Sequence, residues 1–354
     1  MASVQRSLKL LIAAAEMNMR RFLPDTMTLL LICTVVTASL RPAHGAFANY
    51  FSIATDIAIG LLFFLHGARL SRDVAIAGLL HWRLHLVILT VTFVVFPLLG
   101  MAFGLLPENV LPRPLFFGIL FLCVLPSTVQ SSIAFTSMAG GNVSAAICAA
   151  SASNILGIFL TPVLVGLLFA AHGHVGGLSL NMLQKIMLQL LAPFIAGQML
   201  QPWIGDWVRA RKKLLTPIDR GSILMVVYLA FSHAVVDGIW TSFSPRDIVA
   251  IMAVNAVLLT FVLCLTMFGS RLMGFGKEDE IAITFCGSKK SLASGIPIAN
   301  VIFAGQPLGA IVLPIMMFHQ LQLMICAIIA QRYASRQKIQ GTAETSMDKD
   351  PAVP

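Results

Sequence analysis

Two stretches of this sequence set polar chemistry inside otherwise apolar segments. Gly287-Ser288-Lys289-Lys290-Ser291 puts two adjacent ammonium groups in one segment. Leu125-Pro126-Ser127-Thr128-Val129-Gln130-Ser131-Ser132 puts a proline and five hydroxyl or amide side chains in another. A lysine in apolar surroundings can bind an anion, pair with an acid or give up its proton. The acid well inside an apolar stretch is Asp56, which makes it the candidate charge partner of the lysines. Gln130, Ser131, Ser132, Thr128, Ser288 and Ser291 can orient a bound solute. Thr92, Asn154 and the His319-Gln320 pair are weaker candidates, because polar residues in a helix bundle commonly join helices. His233 and Asp237 show an H-x-x-x-D spacing without further enzyme motifs, and Ser288 beside Lys289 has no hydrolase constellation around it, so no enzyme is expected. The six cysteines lie in apolar stretches without C-x-x-C spacing and suggest neither a disulfide frame nor a metal site.

The elements that must hold these residues are membrane helices. Hydrophobic residues make up 58% of the chain and charged residues 11%, against about 25% charged in soluble domains. Apolar runs recur near 23–40, 49–69, 84–106, 114–138, 143–170, 180–201, 217–236, 246–273, 280–304 and 308–331. Each is long enough to cross a bilayer, and none alternates as barrel strands do. The expected fold is an all-α integral membrane protein of ten helices. Residues 1–22, basic and interrupted by Glu16, are expected to form a cytoplasmic interfacial segment. The transporter domain is expected over 23–331, and a disordered polar tail over 332–354.

One set of alternate loops and termini holds 18 Lys and Arg residues, among them Arg209, Arg211, Lys212 and Lys213; the other set holds four, including Lys185. The positive-inside rule therefore places both termini in the cytoplasm of a cell with this protein in its inner membrane. These flanks account for the net charge of +9, so nucleic-acid binding is not indicated.

Pro126 and Gly287, the first breakers in spans four and nine, are 161 residues apart, close to half the membrane domain. Further breakers follow each: Gly140-Gly141 in one case, Gly305 and Pro307 in the other. Two five-helix halves, about 23–170 and 180–331, would enter the membrane from opposite faces as an inverted repeat. Broken helices in corresponding positions of such halves point to a solute site at the midplane. Lys289 and Lys290 would lie about 15 Å deep at about 1.5 Å per residue, too deep to reach the surface comfortably. Both could face one cavity only if the helix unwinds near Gly287; pairing with Asp56 is the structural alternative.

Phe285-Cys286-Gly287-Ser288-Lys289-Lys290-Ser291-Leu292, continuing to Gly295-Ile296-Pro297, resembles the ninth-helix signature of the bile acid:sodium symporter-like family, solute carrier family ten, in its member-seven branch and bacterial relatives. Gly67-Ala68-Arg69-Leu70 with Asp73, Phe93-Val94-Val95-Phe96-Pro97, Asn142-Val143 and Thr161-Pro162 extend the resemblance over roughly residues 20 to 335. It implies two inverted five-helix repeats, a panel domain, a core domain with crossed, broken helices four and nine, and alternating access.

In sodium-coupled members of that family, a Glu and a Gln flank the ninth-helix glycine. Here those positions are Phe285 and Lys289. A third-helix Gln is Thr92, a fourth-helix Ser–Asn pair is Ser131–Ser132, and fifth-helix hydroxyl ligands fall on Ala146 and Ala150. A hard cation wants several oxygen ligands, whereas this chain has ammonium groups in their place. The expected function is secondary transport of a small organic anion in the lipid bilayer, with one lysine standing in the space sodium fills elsewhere and the other attracting the solute. Sodium or a proton is the coupling ion, and no other cofactor and no metal are expected. The alternative is a regulatory or scaffold membrane protein that keeps the transporter fold. Oligomeric state is left open.

Overall fold

Lipid offers peptide groups no hydrogen-bond partner, so an apolar run closes its backbone bonds on itself as a helix. The computed structural model describes residues 26–69, 81–171, 180–236, 238, 244–303 and 308–347, and among them are twelve helices and no strand. In chain order these are α1 (Thr26–Leu40), α2 (Gly45–Arg69), α3 (Trp82–Phe103), α4 (Arg113–Val124), α5 (Gln130–Met138) and α6 (Val143–Ala171). They are followed by α7 (Leu180–Ala210), α8 (Lys212–Val236), α9 (Pro245–Leu272), α10 (Lys277–Gly287), α11 (Leu292–Ile302) and α12 (Leu308–Met347). Among the described residues, five helices are long and apolar enough to cross a membrane, namely α2, α3, α6, α9 and α12. Their outer faces stay apolar: Tyr50 and Ile57 of α2 and Val249 of α9 are each about two-thirds or more exposed. Surface of that kind belongs against acyl chains.

Among the described residues the apolar stretches read from the sequence fall largely on helix, with non-helical breaks at 125–129 and 288–291. At the end of the chain α12 runs on past Arg332 to Met347. The extension holds Arg, Gln, Lys, Ala and Glu with no proline before Pro351, and it grows from an existing helix, so no nucleation cost opposes it. Residues 1–22, Asp73, Asp237, Gly305, Pro307 and 348–354 lie outside the described residues, as do the side chains of Lys185 and His233.

Two groups of helices pack together. In one, α2 lies most extensively against α7, and α8 packs on α1 and α2. Glycines permit the α2–α7 approach: a Cβ on Gly67 would strike the Phe194 carbonyl, and one on Gly197 the Phe64 carbonyl. The other group, α3 to α6 with α9 to α12, surrounds two chain breaks. At one end of this group the buried Glu280 carboxylate accepts from Arg271 Nη2 at 2.8 Å, Lys277 Nζ at 2.9 Å and Tyr333 Oη at 2.8 Å. That cluster ties α9, α10 and α12 together.

Candidate functional site

The first break is made by Pro126. Proline disfavours helical geometry in the residue before it, and Leu125 is extended at φ −71°, ψ 152°. Gly157 of α6 makes room for the Pro126 ring, since a Cβ there would stand 2.7 Å from Pro126 Cβ. The chain re-enters helix at Gln130, and α5 stops before Gly140, whose φ of +67° suits glycine. The second break runs from Ser288 to Ser291. Ser291 caps α11 by accepting from the Ser294 N–H at 3.1 Å.

The two breaks touch. The Ser291 N–H donates to the Pro126 carbonyl at 2.8 Å, Ser127 Oγ to the Cys286 carbonyl at 2.5 Å, and Ser132 Oγ to the Phe285 carbonyl at 3.0 Å. Each break is also held by an amide from a long helix. Asn154 Nδ2 of α6 donates to the Ser127 carbonyl at 2.8 Å, while Ser153 Oγ receives the Ser127 N–H at 3.0 Å. Gln322 of α12 takes the Lys290 N–H at 2.9 Å and donates to the Lys290 carbonyl at 3.0 Å.

Lys290 occupies the centre of this crossing. Its Nζ donates to the carbonyls of Thr92 at 2.8 Å, Cys123 at 2.8 Å and Leu125 at 2.7 Å, and lies 4.1 Å from the centroid of the Phe96 ring. Local sequence explains why those oxygens are available. Residues Val91–Val95 form a π turn in which the Phe96 N–H reaches back to Val91, and Pro97 has no N–H, so Thr92 loses its intrahelical donor. The Ser127 N–H that would close the last turn of α4 on Cys123 goes to Ser153 instead. Lys290 thus caps the negative end of α4. Three carbonyl acceptors at these distances match the three N–H bonds of an ammonium group.

Lys289 points elsewhere. It is as buried as Lys290, but among the described residues its Nζ has no hydrogen-bond partner. It sits 3.9 Å from the Phe135 centroid and 5.5 Å from that of Phe285. The two lysines therefore do not face one cavity, because the non-helical backbone sends consecutive side chains apart. Neither meets Asp56: that carboxylate lies on the exposed part of α2, with Asn300 Nδ2 of α11 3.5 Å away. The Lys–Asp56 pair is not formed, since backbone carbonyls and aromatic faces take both ammonium groups.

The remaining candidates divide by their contacts. Thr128 Oγ1 bonds Ser131 Oγ at 2.8 Å and Ser132 Oγ at 2.9 Å, and Ser288 Oγ donates to the Thr284 carbonyl of its own helix at 2.6 Å. Thr92 Oγ1 similarly donates to Ile88. Asn154 Oδ1 receives Ser294 Oγ at 2.7 Å, and His319 Nδ1 lies 2.9 Å from Gln322 Nε2. Gln130, at the start of α5, is exposed, while Ser131, Asn154 and His319 are half-buried.

This crossing can be compared with known proteins. The profile of the SBF-like CPA transporter family matches residues 25–335. The chain belongs to that family. It is a membrane protein of a transporter family and not an enzyme. An uncharacterized protein of Pseudomonas aeruginosa is 55% identical over 321 residues, covering 91% of this chain and 96% of the relative. The candidate symporter YfeH of Escherichia coli is 54% identical over 327 residues, covering 92% and 98%. Sodium/bile acid cotransporter 7 of Mus musculus is 30% identical over 318 residues, covering 87% and 93%. Within this family member, sequence reasoning missed Gln322, Ser153, Phe96 and Phe135. Their roles depend on contacts between distant segments, though the amide of Gln322 three residues beyond His319 was a readable signal.

Proposed function

We propose that the protein is a secondary carrier that moves a small organic anion across the inner membrane by alternating access, with a lysine ammonium in the place of a coupling sodium. The observation that carries this reading is the triple carbonyl coordination of Lys290 Nζ where the breaks cross. Carbonyl oxygens converging on one positive centre are what a monovalent cation requires. Here the cation is covalently part of the chain and cannot be exchanged.

In this reading the ten spans form two inverted repeats, about 23–170 and 180–331, with both termini cytoplasmic. The matching use of Asn154 on α6 and Gln322 on α12 to hold the two breaks supports the repeat. The positive ends of α5 and α11 meet at the crossing and favour an anionic group. Gln130 and Ser131 are placed to orient it, and Lys289 adds unneutralised positive charge nearby.

The test is uptake of labelled organic anions into proteoliposomes under an imposed sodium gradient and then an imposed proton gradient. The expected outcome is uptake indifferent to sodium. Sodium-driven uptake would overturn lysine replacement, and uptake of no anion in the panel would favour a scaffold that has kept the transporter fold.

A further inference from the structure

Among the described residues, Asp56 is an acid within a membrane-length helix that no ion pair engages. It is the twelfth of 25 residues in α2, so about 16 Å of helix precedes it and about 20 Å follows, which puts it near the bilayer centre. Both lysines are engaged elsewhere, and the Asp56 side chain is exposed. A carboxylate exposed at that depth must face water or carry a proton.

The surroundings indicate water on one side. Asn49, Ser52 and Asp56 recur at i, i+3 and i+7, a polar stripe on a helix whose neighbouring face presents Tyr50, Ile53 and Ile57 outward. Across from the stripe stands Asn300 of α11, half-buried, with Nδ2 3.5 Å from Asp56 Oδ1. That separation is longer than a good hydrogen bond. The contact joins the helix group containing α2 to the group containing the crossed breaks. In alternating access this is the boundary that opens and closes.

No cation neutralises Asp56 among the described residues. α11 has no ionisable side chain, and on α8 the Tyr228 hydroxyl donates to the Arg41 carbonyl. Asp206 and Arg209 pair with each other near the end of α7, and the side chain of Lys185, near its start, lies outside the described residues. On α2 itself His66 lies about 15 Å further along the helix, with Nδ1 2.8 Å from the Leu62 carbonyl, and Arg69 lies beyond it. Arg220 is near the start of α8. One carboxylate and one amide offer too few oxygens for sodium, whereas a proton needs only the carboxylate.

We infer that Asp56 is the proton-coupling site of this carrier: it takes a proton from one side in the crevice between α2 and α11, with Asn300 as its hydrogen-bond partner, and returns it on the other. The inference rests on the carrier reading and adds to it. Protonation removes the negative charge that would repel an anion entering along the stripe, so solute and proton travel together.

The test needs no solute. Infrared difference spectra of the full chain in proteoliposomes, stepped between pH about 5 and about 8, should show a protonated-carboxyl C=O band. The band should vanish in Asp56→Asn, shift in Asp56→Glu and change frequency in Asn300→Ala. Size-exclusion profiles and Tm report whether each variant is folded, and Asp56→Glu retains a readout should Asp56→Asn fail to fold. An unchanged band in folded Asp56→Asn, or no carboxyl band in the wild type, overturns the inference. Loss of the band on adding sodium at constant low pH would also overturn it, by making Asp56 a cation ligand. The carrier reading fails separately: a band assigned to Asp56 without uptake of any anion would leave the proton site standing and remove the transport it was meant to drive.

Discussion

Lys289 and Lys290 are neighbours in the chain, equally buried, with identical side chains, yet their surroundings are opposite. Lys290 gives all three N–H bonds to backbone carbonyls, whereas Lys289 has only the faces of Phe135 and Phe285. The Lys290 ammonium is therefore part of the scaffold. It satisfies oxygens that a broken helix and a π turn leave open, which in lipid would cost several kcal/mol each. The Lys289 ammonium satisfies no hydrogen-bond acceptor, and a desolvated cation against aromatic rings contributes roughly 2 kcal/mol. Burial alone does not tell these roles apart; the acceptors do.

The contrast can be broken most directly at Lys290. Lys290→Met, similar in length and uncharged, should lower stability by about 3–5 kcal/mol, read as reduced Tm in detergent. Gln322→Leu removes both bonds to the Lys290 backbone and should cost about 2 kcal/mol. Combined with Lys290→Met it should be less than additive, because both changes release the same segment. Ser127→Ala frees the Cys286 carbonyl and should cost about 1 kcal/mol in the same assay. Lys289→Met should change stability by no more than about 2 kcal/mol, since no hydrogen bond is lost and the lost ring contacts are offset by removal of a buried unpaired charge. A Tm loss for Lys289→Met equal to that for Lys290→Met would erase the distinction.

The positions of the helices were legible in the sequence because hydropathy is local and lipid leaves the backbone one solution. The two breaks were legible for a similar reason: Pro126 and the run Gly287 to Ser291 cannot continue a buried helix quietly. What these segments do to each other was not legible. Ser291 was expected to orient solute but caps α11 and reaches Pro126, and Asn154, a weaker candidate, bridges Ser127 and Ser294. The Ser291–Pro126 and Asn154–Ser294 contacts join segments more than a hundred residues apart, and even Ser127 lies 27 residues from Asn154, so spacing carries no information about them. Asp56, a candidate partner for the lysines on charge alone, lies beside Asn300, while carbonyls and rings surround the lysines.

The π turn in α3 has one more consequence. Leu84, Ile88, Thr92, Phe96 and Gly100 follow one another at steps of four and all are buried. In an unbroken α-helix each such step advances about 40°, so the row would wind about 160° around the helix. A wider turn at Val91–Val95 takes up much of that drift. It brings Gly100 against Cys123, where a Cβ would come within 2.9 Å of the Cys123 Cβ. Deleting any single residue there would swing the rest of α3 by about 100°, turning Phe96 away from Lys290 even if every remaining side chain were kept. At this turn the quantity under constraint is chain length, and a one-residue gap would do more harm than most substitutions.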